Sequence, residues 1–276
     1  MPKPKLIAID IDGTLIDSKT GLRPDVESAI LRAKADGAMV TLATGRMISA
    51  AREFIDRLDI DLPIIALNGS LVAADNGDSP LYHEPISSDS SRLLVERAWE
   101  TPSTLIFICC DKAFTRNITD ITGPALETWI ANITDFPDSS IIASSRPTCI
   151  LVAGEQAEIG DIYDATKSLN LCDIEHYMFP SIRYFHMHYI EYRAKGTNKG
   201  TALRILRESL GIQRKDVLAI GDYLNDLPMA EEAGIFAAPA NARIEVQELA
   251  DYVSPLTNDQ GAVAQILEHL YFNANY

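Results

Sequence analysis

The sequence predicts an α/β fold: a parallel sheet covered by helices on both faces, interrupted by an inserted α+β unit. Three observations carry that expectation. Short apolar runs recur near both ends of the chain, stretches of helical spacing lie between them, and the middle of the chain breaks the alternation.

Leu6 to Ile11 is a continuous apolar run bounded by Lys5 and Asp12-Gly13, the pattern of a strand buried on both faces. Ala38 to Ala43, Ile64 to Leu67, Val217 to Ile220 and Ile235 to Ala238 have the same character. Pro24 opens the first helical stretch at a first-turn position, with Val26, Ile30, Leu31 and Ala33 on one side and Gly37 just past its end. A second helix is expected from Met47 to Leu58, and a third from Thr197 through Ala202, Leu203, Leu206 and Leu210 to Gly211. Alternation of this kind implies a parallel sheet with helical crossovers.

Between residues 86 and 191 the order changes. The spacing predicts a helix over Asp89 to Trp99, a strand over Leu105 to Cys109, a helix over Pro124 to Ile133, a strand over Thr148 to Val152, a helix over Glu155 to Leu169 and a strand over Ile182 to Ile190. About 100 residues suffice for a separate core. Ahead of this unit, Ser70 to Ala74 and Pro80 to His83 flank Asp75-Asn76-Gly77-Asp78, an Asn-Gly hairpin signal. Behind it, Arg193 to Gly196 reads as a polar link. The expected division is a discontinuous core of residues 1–85 and 192–276, with residues 86–191 inserted.

Lysine and arginine total 24 against 39 acidic residues, a net charge of −15 spread along the chain. A nucleic-acid partner usually demands the opposite sign, so a solvated acidic surface is expected. No apolar run approaches the ~18 residues of a membrane span, and Asp10 and Asp12 would interrupt a signal-peptide core. Cys109, Cys110, Cys149 and Cys172 show no CxxC spacing, which suits a reducing, cytoplasmic setting.

The densest chemical signal is Asp10-Ile11-Asp12-Gly13-Thr14 at the end of the first predicted strand, the sheet edge where ligands of parallel sheets bind. One carboxylate can attack while the other serves as acid and base, and one can also bind a metal. Thr44-Gly45-Arg46 follows the second strand and offers a hydroxyl and backbone N–H groups to a phosphate. Lys199 stands at the start of a helix, where a cation opposes the macrodipole, an odd place for a structural lysine. Gly221-Asp222-Tyr223-Leu224-Asn225-Asp226 brings two carboxylates and an amide to the same edge, oxygen ligands that suit magnesium.

In this order, Asp10-x-Asp12-Gly-Thr, Thr44-Gly-Arg46, Asn198-Lys199-Gly200 and Gly221-Asp222-x-x-Asn225-Asp226 resemble the four motifs of the haloacid dehalogenase superfamily of phosphohydrolases. The insertion after Asn68-Gly69, and the later Ala240-Asn241-Ala242, Ala250-Asp251-Tyr252-Val253 and Asn258-Asp259-Gln260-Gly261 segments, are similar to the Cof-type subfamily with a large α/β cap. That resemblance implies a Rossmann-like three-layer core and a Mg²⁺-dependent phosphatase of small phosphate monoesters, most of all sugar phosphates. By it, Asp10 is the nucleophile that becomes an aspartyl phosphate, and Asp12 is the acid and then the base. Thr44 and Lys199 stabilise the transferring group, with Gly45, Arg46, Asn68 and Asn225 on the substrate or phosphate. Asp10, the Asp12 carbonyl and Asp222 hold the metal, and Asp226 supports them from behind. Packing these carboxylates together would otherwise protonate the nucleophile, a second reason for a dication.

The alternatives are a phosphomutase, a sucrose-phosphatase-like relative, or a phosphosugar-binding regulator without catalysis. The expected partner is a small phosphorylated metabolite, with the protein a monomer or weak homodimer. Ala238-Pro239-Ala240-Asn241 departs from the regular strand and turn of relatives. His186 and His188 alternate on one strand face but lack a third ligand for zinc. Tyr177, Phe179 and Tyr184 are candidate substrate contacts, with core packing the commoner fate of such aromatics. Cys109 and Cys110 read as buried strand thiols.

Overall fold

Strand β1 (Leu6–Ile9) runs parallel to β12 (Val217–Ile220) on one side and β2 (Met39–Leu42) on the other, with Leu6 level with Val217 and Met39. β13 (Ile235–Ala238) and β14 (Tyr252–Val253) extend this sheet, giving the order β14-β13-β12-β1-β2, all parallel. The computed structural model describes residues 3–74, 79–131, 133–135, 146–181 and 186–273.

Every residue of β1 and β12 is buried, because helices cover both faces of the sheet. Ile7, Ile9, Leu218 and Ile220 pack against α1 (Pro24–Ala35) and α9 (Ala262–Leu267), through Val26, Ile30, Val263 and Ile266. The alternate residues Leu6, Ala8, Val217 and Ala219 pack against α6 (Lys199–Ser209), through Ala202, Leu203 and Leu206. α7 (Leu227–Glu232) and α8 (Ile244–Leu249) complete that side with Met229 and Val246. After α2 (Arg52–Arg57), β3 (Ile64–Ala66) turns into an antiparallel ribbon with β4 (Leu71–Ala73) and β5 (Tyr82–His83). The arms of the expected hairpin pair as predicted, and its Asp75-Asn76-Gly77-Asp78 tip lies outside the described residues.

A second sheet follows. It comprises β6 (Thr104–Cys109), β7 (Lys112–Arg116), β8 (Ile133–Asp135), β9 (Cys149–Glu155), β10 (Ile174–Pro180) and β11 (Met187–Ala194), in the order β10-β11-β9-β6-β7-β8. All its pairings are antiparallel except β7 with β8. α3 (Ser88–Trp99) and α5 (Gln156–Lys167) cover one face, where Leu94, Ile159 and Ile162 meet Phe107, Ile150, Ile190 and Tyr192. The opposite face carries Ile106, Ile108, Leu151 and Tyr189 in one apolar cluster with Met47 and Ile48, which follow β2. Two polar ties reinforce that contact: Met47 N donates to Trp129 O at 2.9 Å, and Asp111 Oδ1 accepts from Ser49 N and Oγ at 2.9 and 3.0 Å.

Four expectations need correction. The helix expected over Pro124 to Ile133 is only α4 (Thr122–Leu126), and Ile133 begins β8. Thr128, Trp129 and Ile130 are poor helix formers, and the Trp129 carbonyl is drawn to Met47 instead. The last strand runs from Met187 to Ala194, with 182–185 outside the described residues. Arg193 therefore sits in β11 rather than in a polar link, and it is buried because its charge finds partners inside. β7, β8 and β10 were not expected: β7 has one large apolar residue, Phe114, among polar and small ones, β8 is three residues long, and β10 is an edge strand without clean alternation. Cys110 lies in the turn after β6 with φ 52, not in the strand, and it and Cys109 are half-buried. Among the described residues no helix is long and apolar enough to cross a membrane.

Candidate active site

The carboxyl ends of β1, β2, β3 and β12 meet at one edge of the parallel sheet. Asp10 directly follows β1, its N–H donating to Ile220 O at 2.9 Å, and only 5% of it is exposed. The chain then curls back, with Leu15 N donating to Asp10 O and Ile11 O. Gly13 makes that curl possible: its φ is 85, and a Cβ there would lie 2.4 Å from Asp222 Oδ2. Thr14 Oγ1 then donates to Asp222 Oδ1 at 2.8 Å, tying the β1 loop to the loop after β12.

Lys199 closes the cluster from the first turn of α6, whose N-cap Asn198 accepts from Thr201 N at 2.8 Å. Its Nζ lies 2.6 Å from Asp10 Oδ1 and 2.6 Å from Asp226 Oδ1, with 1% of the side chain exposed. Asp226 is fully engaged, since its Oδ2 accepts from the N–H groups of Asp222 and Tyr223 at 3.0 Å. It thus folds the loop that presents Asp222.

Asp10, Asp222 and Asp226 each offer an oxygen within 4.8 Å of the others. Burial raises Asp10 well above the usual carboxylate range, the Asp226 charge adds to that, and Lys199 only partly opposes it. Asp222 is pushed up to about 6, by burial first and by Asp226 second. Burial works against the charge on Lys199, yet Asp10 and Asp226 outweigh it and hold its proton more tightly than usual. Three carboxylates share one ammonium, and a dication fits the remaining charge.

Asp12 points elsewhere. Arg46 grips both its oxygens, Nε to Oδ2 at 2.9 Å and Nη2 to Oδ1 at 2.6 Å, and the Asp12 side chain stays 44% exposed. The Thr44 hydroxyl, buried beside this pair, accepts from Arg46 N at 3.1 Å. Asn68 follows β3, with its N–H on Thr44 O at 3.0 Å, and its Oδ1 accepts from Asn225 Nδ2 at 2.8 Å. Gly45 leaves room for that amide, since a Cβ there would meet Asn68 Oδ1 at 3.2 Å.

Every candidate site residue named from the sequence therefore lies on this one edge, in two bonded groups: Asp10, Lys199, Asp222 and Asp226 in one, and Asp12, Thr44, Gly45, Arg46, Asn68 and Asn225 beside it, with Thr44 and Arg46 buried and Asp12 open to solvent. Thr14 carries a contact that the sequence analysis did not single out, although it belongs to the quoted motif. Asn241 is another, donating to Gly13 O at 2.8 Å while accepting from Asn258 N at 2.8 Å. The segment before it, Ile235–Ala238, is a regular strand. His186 and His188 share no metal-sized cluster among the described residues. Tyr177 lies against the Arg193 guanidinium, 4.8 Å from its ring centre, and Phe179 packs on Trp129 and Tyr189. Tyr184 lies outside the described residues.

Known proteins resemble this chain over nearly its whole length. A 5-amino-6-(5-phospho-D-ribitylamino)uracil phosphatase of Bacillus subtilis, YcsE, is 28% identical over 269 residues, covering 96% of this chain and 95% of its own. The phosphatase YwpJ of the same organism is 28% identical over 299 residues, covering 96% and 99%. The solved structure of a haloacid dehalogenase-like hydrolase from Bacteroides thetaiotaomicron matches with a TM-score of 0.84 at 26% identity, over 96% of this chain and 99% of that one. Residues 7–267 match the family description as a whole, and the chain belongs to the haloacid dehalogenase-like hydrolases.

Proposed function

We propose that the protein is a magnesium-dependent phosphatase of small phosphate monoesters, most of all sugar phosphates, acting through an aspartyl-phosphate intermediate. The observation that carries this reading is the buried Asp10 carboxylate, held 2.6 Å from Lys199 within a cluster of acidic groups that one ammonium cannot neutralise. Asp10, Asp222 and the Asp12 carbonyl would hold the metal, which would offset that charge and withdraw charge from the phosphoryl oxygens.

Asp10 Oδ2 attacks phosphorus in line, and the ester P–O bond breaks. Asp12, half-exposed at the mouth, gives its proton to the departing alkoxide, then takes one from water as that water attacks the aspartyl phosphate. Inorganic phosphate leaves and Asp10 is regenerated. Lys199, the Thr44 hydroxyl and the Gly45 N–H stabilise the equatorial oxygens, and Arg46 is placed to pass from Asp12 to the incoming phosphate. The second sheet through Ala194, with its helices, acts as a cap that excludes bulk water from the first step. The relative that handles a phosphorylated ribityl compound supports a polyol or sugar phosphate as the substrate class.

Phosphate release from a panel of phosphorylated metabolites, with magnesium, with EDTA and with Asp10→Asn, tests this. Metal-dependent turnover that the variant lacks supports the reading. Silence across the panel from folded, magnesium-loaded protein overturns it in favour of a mutase or a binding regulator.

A further inference from the structure

The turn at Leu67–Gly69 is the most strained segment near the site. Leu67 and Asn68 both have left-handed backbone, φ 48 and 54, and Gly69 follows at φ 95. Two consecutive non-glycine residues in that region cost roughly 1–2 kcal/mol each, and they persist only where the surroundings over-determine them. Here Asn68 is fixed through four of its polar groups. Its N–H is held by Thr44, its side-chain oxygen by Asn225, and its carbonyl and amide nitrogen by two residues of the second sheet.

Those two are Glu191 and Arg193. They are two positions apart on β11, so they share the face that carries Tyr189, opposite the face of Ile190 and Tyr192. Asn68 Nδ2 donates to Glu191 Oε1 and Oε2 at 3.1 and 3.2 Å, and Arg193 Nη1 donates to Asn68 O at 3.0 Å. Arg193 Nε approaches Glu191 Oε1 at 3.2 Å without hydrogen-bond geometry, so the carboxylate is aimed at Asn68 rather than at its neighbour. On its other side the turn abuts the helix start that carries Lys199: a Cβ on Gly69 would lie 2.2 Å from Asn198 O.

We infer that Glu191 is a positioning residue for the reaction, acting through Asn68: with Arg193 it clamps the strained turn and thereby orients Asn225 and the Thr44 loop around the phosphate site. The Asn68 amide is then an orienting group with its hydrogens turned to Glu191, not a direct phosphate ligand. This inference rests on the proposed phosphatase reading for its catalytic readout.

The test is a double-mutant cycle of Glu191→Ala and Asn68→Ala in the full chain, read by kcat and KM on the best panel substrate. A parallel cycle reads calorimetric affinity for inorganic phosphate on the magnesium-loaded protein. Each single variant is expected to lose up to ~10²-fold in kcat while remaining folded, a loss typical of misplaced reacting groups. The double variant should lose no more than Asn68→Ala alone, because the two residues act as one unit. Additive losses, or an unaltered Glu191→Ala, overturn the inference. Should Glu191→Ala fail to fold, Glu191→Leu, which fills much of the volume but offers Asn68 no acceptor, runs through the same cycle with the same criteria. Should the wild type release no phosphate, the phosphatase reading fails on its own, and the phosphate-affinity cycle still decides whether Glu191 acts through Asn68.

Discussion

The parallel sheet and the second sheet solve the same burial problem in different ways. β1 and β12 are hidden on both faces, so neither face is free to vary, and the chemistry collects at their ends, where side chains from Asp10 to Asp226 converge. β11 packs one face on helices α3 and α5 and turns the other, with Tyr189, Glu191 and Arg193, toward the parallel-sheet unit. The candidate site groups thus sit at the end of the doubly covered sheet, while the second sheet reaches them through a few polar contacts. The contrast predicts that substitutions at the ends of the parallel strands act on chemistry, and that those on the helix-facing side of the second sheet act on stability alone.

The largest expected effect is that of Asp10→Asn. Phosphate release should fall at least ~10³-fold with the thermal transition retained, as expected on removal of a nucleophile. Appreciable residual turnover in a steady-state assay would place the nucleophile elsewhere.

Lys199→Ala should damage both properties. Removing the one ammonium strands Asp10 and Asp226, and breaking a buried pair in this way costs about 3–5 kcal/mol, while the lost electrostatic help costs ~10²–10³ in kcat. Denaturant melts of the metal-free variant against wild type, together with kcat, would show it. A variant as stable as wild type would mean the carboxylates are not charged together.

Magnesium should sharpen the comparison next. The folded protein holds a proton on Asp222 up to about pH 6, above the usual aspartate range. For this group the metal-free folded state is favoured at low pH, and that contribution is lost as pH rises through about 6. Magnesium competes with that proton. Its stabilisation should approach ~2.7 kcal/mol at a hundredfold excess over Kd near pH 7.5, and shrink at pH 5. Scanning calorimetry at the two pH values checks the sign, and an equal or larger shift at pH 5 would contradict it.

The smallest effect belongs to the far face of the second sheet. Tyr192→Phe removes the buried contact of 2.9 Å between Tyr192 OH and Thr166 Oγ1, at a cost of about 1 kcal/mol. Urea melts should register that cost while kcat stays unchanged. A drop in kcat would show that the two faces of β11 are not separable.

How far the fold was legible follows the same division. β12 and β13 match their apolar runs residue for residue, because strands buried on both faces need unbroken apolar sequence. α1 starts at Pro24 as its sequence implies. In the second sheet, β10 was invisible because an edge strand with one wet face carries His176, Tyr177 and Met178 without clean alternation. Arg193 misled for a different reason, since a charge usually marks solvent and this one is buried against Asn68.

The sequence by itself assigned Asp10, Thr44 and Asp222 to one edge, because each closely follows a strand of a sheet whose strands all run the same way, whereas Lys199 follows the antiparallel β11 and reaches that edge only through the packing of α6. The tertiary structure alone decided the grouping within that edge. Arg46 takes Asp12 rather than Asp10, Asp226 is spent on Lys199 and two backbone N–H groups, and Glu191 reaches across 123 positions to Asn68. The physical reason is range: burial and periodicity are written locally along a strand, whereas which donor meets which carboxylate depends on where separate elements pack.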